Sequence, residues 1–496
     1  MRIGSSITAL LSLSGVAVAK PRHKLESHRF QSDIKEKNLM SNLQDLNDLA
    51  FKNGGNRAFG LPGYAASVDY VYNRLSKIKG IKAWKQNFPA LFAFVDSIEL
   101  TVDDESLYVY GLTYSPSTSE EGITAEVALG PEGAAGCDAA SYDGLDVKGK
   151  IVLVQRFRCP TGGTLAGRVI PAAAAGAAAV IIYHDLTTKP TAGSLSQPNP
   201  EKFVPAGFIH LADGEKIKER IEAGETVTAH FQQSQTIEER ITQNVFAETL
   251  GGDPRNVIML GAHLDSVQAG PGINDDGSGT SLILELVTAL SKYKTKNKIR
   301  FGWWGAEENG LLGSKYYVSN LDAKEVNKLL IYLNFDMVSK GFFGVADTDG
   351  SSHGVAAPRG SEVTEKLWID YYTSKGLTVT PAVLTNGSDY ASFWQILSKP
   401  FGFLHTGTAV EQDPCYHQAC DTIDNPDPKT LAINAKAAAH ILAVLDNKGT
   451  KLIPKTKVTD ASLKKLQTRS VGPDLAKIPE LEAMGVRHLG CGLHDL

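Results

Sequence analysis

From residue 244 onward, short apolar runs alternate with helical patterns. Runs at 257–261, 299–304 and 329–335 predict strands, and apolar spacing at 280–292 and 311–319 predicts helices. The strands are apolar almost throughout, rather than at every second position. Such strands are buried on both faces, so the pattern predicts an α/β fold: a mixed, mostly parallel sheet flanked by helices. Nearer the start, Leu39, Leu43, Leu46 and Leu49 recur at helical spacing, and Val68, Val71, Tyr72 and Leu75 mark a second helix after Pro62-Gly63. The stretch 110–236 has a different character. It is rich in Gly and Ala, with short apolar strands at 151–154 and 180–182 and a short helix at 216–223. It reads as a small β-rich domain inserted into the first, whose two parts are then 37–109 and 237–450. Residues 20–36 are charged and lack apolar periodicity, and read as a flexible lead or propeptide. Residues 451–496 read as a tail of low order.

Composition and charge narrow the class. Apolar residues make up 42% and charged residues 21%, as in an ordinary soluble globular protein. A net charge of −5 lacks the basic surplus of a nucleic-acid binder, so no nucleic-acid partner is expected. Residues 1–19 read as a secretory signal peptide: Arg2 precedes an apolar run, and Ala17-Val18-Ala19 fits the small-residue cleavage rule. That run is too short to cross a bilayer, which takes about 20 residues. The longest other uncharged stretch, 170–183, carries Gly176 and reads as a buried helix running into a strand. The expectation is a secreted monomer with no membrane partner. Export permits disulfides. Cys137 with Cys159, and Cys415 with Cys420, are the local pairings, leaving Cys491 over; the alternative is five free thiols. None has the clustered spacing of a cysteine zinc site.

Ligands of open α/β sheets bind at the carboxyl ends of the strands. All three main-domain strands run into metal-binding side chains there: His263 and Asp265 after the first, Glu307-Glu308 after the second, Asp336 after the third. Asp275 lies between the first strand and its helix, and His417 lies in Pro414-Cys415-Tyr416-His417. Singly, each has a plainer role as a cap, a first-turn acid, a turn residue or a core histidine. Two histidines and three carboxylates in one crevice, however, call for cations. Asp275, Glu308 and Asp336 bring three negative charges, and a hydroxide makes four, which two zinc ions balance. One zinc would leave an excess of about two buried charges. Asp275 is the natural bridge, because a carboxylate offers one oxygen per metal; paired metals sit ~3.5–4 Å apart. Mixed His and carboxylate ligation without Cys suits catalytic zinc. Asp265 is placed to accept the second ring N–H of His263. Glu307 is then left as general base.

The stretches carrying these residues are Gly261-Ala262-His263-Leu264-Asp265-Ser266, Gly272-Ile273-Asn274-Asp275-Asp276-Gly277-Ser278-Gly279, Trp304-Gly305-Ala306-Glu307-Glu308-Asn309-Gly310, Asn334-Phe335-Asp336-Met337 and Tyr416-His417-Gln418-Ala419-Cys420-Asp421. Together they resemble the co-catalytic dizinc aminopeptidases of the aminopeptidase Y type. Asn53-Gly54-Gly55-Asn56-Arg57-Ala58-Phe59-Gly60 resembles a segment of secreted fungal leucine aminopeptidases. Val147-Lys148-Gly149-Lys150-Ile151-Val152 and Ala174-Ala175-Gly176-Ala177 make 110–236 resemble a protease-associated domain, a module tied to access or substrate handling. The resemblance implies a zinc exopeptidase fold and zinc on His263, Asp275, Glu308, Asp336 and His417. It also implies that Glu307 is the base, and that the activity is extracellular hydrolysis of N-terminal, apolar residues such as leucine. By the same resemblance Asp389 falls in an acidic loop near the site. It either orients the substrate amine or satisfies loop N–H groups. Asn386-Gly387-Ser388 is the one glycosylation sequon, and a glycan there competes with the site for space. Met337 and Phe401-Gly402-Phe403-Leu404 are either a side-chain pocket or core.

Three rival readings have distinguishing features. A carboxypeptidase needs a cation for the terminal carboxylate, and only Lys315 and Lys340 lie near the ligand stretches. A cyclase of the same fold uses one zinc. A non-catalytic ectodomain would have lost ligands, whereas this chain keeps all five and the base.

Overall fold

The computed structural model describes residues 23–467, apart from 410. The core of the main domain is four adjacent parallel strands in the order Asn297–Trp304, Asp253–His263, Leu329–Phe335, Phe401–His405. In register, His263 pairs with Trp304, Gly261 with Asn334, and Phe335 with Leu404. The carboxyl ends of the strands are therefore level, and everything they deliver meets along one edge. Short strands Gly344–Ala346 and Thr380–Ala382 extend one side, and Thr228–Thr249 pairs antiparallel on the other.

Continuous apolar runs form these strands because both faces are covered. Ile258, Leu260 and Ala262 pack on one face with helices Glu36–Lys52, Pro62–Leu75, Gly277–Leu290 and Pro428–Leu452. Val257 and Met259, at the alternate positions, pack on the other face with Tyr317, Val318, Phe393 and Phe401. The expected main-domain strands and helices thus form, with ends shifted by up to four residues. Among the described residues no helix is long and apolar enough to cross a membrane.

The inserted domain is not a separate bead on a linker. Strands Ile81–Val102 and Thr228–Thr249 form one antiparallel ribbon, paired from Ile81 with Thr249 to Val102 with Ala229. That ribbon starts in the main sheet and runs through into the insert. The insert's own strands, Ile123–Leu129, Ile151–Gln155, Ala179–Tyr183 and Ala206–Ile209, are parallel and flanked by helices Ala166–Ala174 and Leu211–Glu222. Disulfides join Cys137 to Cys159 and Cys415 to Cys420. The expected signal peptide, 1–19, and Cys491 lie outside the described residues.

Two expectations are corrected. The stretch read as a flexible lead is built into the domain over residues 23–36. His23–Lys24 pairs with Tyr293–Lys294, and helix Ser27–Asp33 lies on the helix Pro428–Leu452. Leu25 and Phe30 are fully buried and Ile34 is 2% exposed. These three apolar residues, five and four apart around a seven-residue helix, give no periodic signal although all point inward. The tail read as low in order also folds over its described part: helix Asp460–Gln467 buries Leu463, and Val458 exchanges hydrogen bonds with Asn327. Phe30→Ala is expected to cost about 3–5 kcal/mol of stability in urea unfolding. A change within ~0.5 kcal/mol would mark the segment as a surface appendage.

Candidate active site

The carboxyl edge of the sheet gathers the predicted residues. His263 ends its strand and is 1% exposed; its Nε2 lies 3.1 Å from Asp275 Oδ1 and 3.5 Å from Asp336 Oδ1. His417 approaches from the loop closed by Cys415–Cys420, with Nε2 3.1 Å from Asp275 Oδ2 and 3.2 Å from Glu308 Oε2. Asp275 thus offers one carboxylate oxygen to each histidine. Two half-sites result: His263 with Asp336 on one side, His417 with Glu308 on the other. Glu307 faces the first, with Oε2 3.9 Å from His263 Nε2.

Backbone supports fix these side chains. The Asp275-Asp276 peptide is cis. The Asp276 carboxylate accepts hydrogen bonds from Gly279 N at the start of the helix Gly277–Leu290, from His263 N and from Met337 N. One acid therefore caps the helix and ties two ligand-bearing strand ends to it. Gly279 is required there: a Cβ would sit 2.1 Å from the Phe335 carbonyl oxygen. Asp421 accepts from Asn274 N and Asp275 N, fastening the loop that carries His417 to the loop that carries Asp275.

A chain of donors holds Asp336. Trp304 Nε1 donates to Tyr332 OH, which donates to Asn334 Oδ1; Asn334 Nδ2 donates to Ser388 Oγ, and Ser388 donates to Asp336 Oδ2 at 2.6 Å. Gly261 leaves room for it, since a Cβ would meet Tyr332 OH at 2.2 Å. Beneath the site lies Arg57, fully buried. It donates to the carbonyls of Leu264, Pro271 and Gly272, and so holds the loop between His263 and Asp275. Burial lowers its pKa, opposed by the neighbouring Asp265, Asp276, Asp421 and Asp275.

Asp265 differs from the expectation. The nearest acceptor to His263 Nδ1 is the Asp265 backbone carbonyl at 3.2 Å, and the carboxylate stands off at 3.7 Å. That carboxylate instead accepts from Glu307 N and Glu308 N, aiming the two glutamates. Asp389 is 1% exposed; neither carboxylate oxygen makes a hydrogen bond of good geometry among the described residues, and the Ser314 hydroxyl lies near enough to favour the charged form. Burial and the nearby Glu307 push its carboxyl well above the usual range. It therefore does not satisfy loop N–H groups. Phe401 and Phe403 stack on Tyr390 inside the core, which removes them from a pocket. Met337 is buried, with φ +50 and its carbonyl held by Thr406. Ser388 of the sequon is fully buried and bonded into the site, and Asn386 is held by Gln395. Lys340 is engaged by Asn425.

The donor set fits cations. Burial alone drives an imidazole toward its neutral form, yet carboxylates outweigh burial at both histidines: Glu307 and Asp336 raise His263, and Glu308 and Asp275 raise His417. Burial and the adjacent Glu308 and Asp336 likewise push the Glu307 carboxyl well up. Glu308 Oε1 is buried with no hydrogen-bond partner among the described residues. This pocket is short of positive charge and rich in open oxygen and nitrogen lone pairs. Sequence reasoning passed over Arg57, Asn334, Ser388 and Asp421 as site residues. Each acts across 50 or more positions or through backbone groups, and only their presence in the quoted stretches hinted at them.

Comparison with known proteins identifies the family. A model described as Peptidase family M28 matches residues 244–442, and a PA domain model matches 123–217. A protein named "probable leucine aminopeptidase 2" from Aspergillus oryzae is 38% identical over 92% of this chain and 93% of its own length. "Leucine aminopeptidase 2" of Arthroderma otae is 36% identical over 87% and 89%. Among solved structures, an aminopeptidase from Aneurinibacillus sp. strain AM-1 superposes with a TM-score of 0.69 at 26% identity, covering 88% of this chain and 98% of that one. A zinc aminopeptidase from Bacillus subtilis gives 0.66 at 25% identity, covering 86% and 99%. On these relatives, the matched models and the shared fold, the chain belongs to peptidase family M28, with a PA domain inserted in it.

Proposed function

We propose that this metallo-aminopeptidase is secreted and removes apolar N-terminal residues, such as leucine, from peptides. His263 and Asp336 would hold one zinc ion, His417 and Glu308 a second, and Asp275 would bridge them. The observation that carries the reading is the Asp275 carboxylate, with its two oxygens each 3.1 Å from a different histidine. A zinc pair bound there supplies Lewis acidity: it lowers the pKa of a water and polarises a carbonyl.

The protein's own groups supply the rest. Glu307, aimed by the Asp265 carboxylate, takes a proton from the attacking water and returns it to the leaving nitrogen. Its carboxylate is buried and faces the first half-site, with Oε2 3.9 Å from His263 Nε2, where such a water would lie. The free ammonium of a peptide is at home among these acids, and Asp389 is the open carboxyl closest in character to a partner for it. Of the two lysines near the ligand stretches, Lys340 is engaged by Asn425, and the half-buried Lys315 interacts with Glu307 and Asp389. The two disulfides and the reading of residues 1–19 as a signal support secretion.

Two outcomes are expected. Glu307→Gln keeps its metal and loses roughly 10²–10⁴ in kcat on a leucyl chromogenic substrate; turnover comparable to wild type would reject Glu307 as the base. Ser388→Ala, which removes the donor to Asp336, weakens zinc retention about 10–100-fold in competition with a chelator. Unchanged retention would mean that the donor chain does not tune the site.

A further inference from the structure

A loop of the inserted domain reaches the site, and its contact falls on a proposed metal ligand. Thr191 Oγ1 donates a hydrogen bond to the backbone carbonyl of His417. Gln418, the next residue, completes a clasp: its Nε2 donates to Thr191 Oγ1 at 3.0 Å and to the Lys189 carbonyl at 3.1 Å. The loop is itself anchored by Tyr108, just before the insert, and by Thr113 within it. Tyr108 OH donates to the Pro190 carbonyl at 2.7 Å, Lys189 Nζ stands 4.0 Å over the Tyr108 ring, and Thr113 exchanges backbone hydrogen bonds with Gly193 and Leu195.

His417 has need of such a hold. Its φ is +54, a left-handed conformation that a residue with a Cβ rarely adopts. The Cys415–Cys420 disulfide closes the loop around it but leaves His417 near the apex, two residues from one cysteine and three from the other. Inside the loop, Gln418 N donates to Cys415 O and the Tyr416 ring stacks on the imidazole at 3.8 Å. The His417 carbonyl points the other way, to the insert. Fixing that carbonyl fixes the peptide plane beside the Cα, and with it the direction in which the ring projects toward Asp275 and Glu308.

We propose that Thr191 of the inserted domain is a positioning residue for His417, so that the insert completes the half-site of His417 and Glu308. The proposal rests on the reading above, in which His417 holds a metal ion. It gives the insert a role besides shaping access to the cleft: the main domain carries every ligand, and the insert sets the aim of one.

The test measures the affinities of both zinc ions by chelator competition in the full-length enzyme, with the visible spectrum of the cobalt-substituted enzyme as a second readout. Thr191→Val keeps the side-chain shape and removes the donor. It is expected to weaken one of the two ions by about 10-fold and leave the other unchanged, with a matching change in the cobalt spectrum. Thr191→Ser, which keeps the hydroxyl, is expected to restore wild-type affinity. Gln418→Leu, which frees the Thr191 hydroxyl from its clasp, is expected to act in the same direction as Thr191→Val. Wild-type affinity for both ions in folded Thr191→Val, or in Gln418→Leu should that variant not fold, overturns the proposal. His417→Ala separates the two layers. If it loses one ion while Thr191→Val loses none, the positioning role alone fails; if it keeps both ions, the ligand reading fails with it.

Discussion

The arrangement turns on a single carboxylate shared between two imidazoles. Asp275 reaches His263 with one oxygen and His417 with the other, and these two histidines come from parts of the chain 154 residues apart. Bringing buried acids this close is unfavourable without positive charge among them. The structure meets that demand in two ways. Arg57 lies under the loop from 264 to 272, and the imidazoles stand among the acids with raised affinity for protons. Cations in the two half-sites would complete the balance.

The fold exists around that constraint. A parallel sheet with level carboxyl ends delivers His263, Glu307, Glu308 and Asp336 to one edge without long loops. Acids that bind no metal in this reading then lock backbone to backbone: Asp276 joins strand ends to a helix start, Asp421 joins the Asp275 loop to the His417 loop, and Asp265 aims the two glutamates. Three acids of the crevice are therefore scaffolding for the others. Such cooperation explains why the residues cannot be assigned roles one at a time.

How much of this was legible in the sequence follows from the range of each interaction. Apolar runs report burial of a strand by its own neighbours, so 329–335 was readable to the residue. His263, Glu308 and Asp336 could be placed at one edge because each follows such a run, and strand ends converge by topology. Ser388, Asn334 and Arg57 were not, because a hydrogen bond to a partner 50 or 200 positions away leaves no local pattern. The short helix Ser27–Asp33 failed for another reason: seven residues are too few for a periodic signal, although Phe30 is fully buried. The long ribbon shared by the two domains was missed because composition marks the insert, while the ribbon belongs to both.

The central claim is most directly tested by diffraction from crystals of the zinc-loaded enzyme at the zinc absorption edge. The account predicts two anomalous peaks flanking the Asp275 carboxylate, one beside His263 and Asp336 and the other beside His417 and Glu308. A single peak, or none in this crevice, would contradict it.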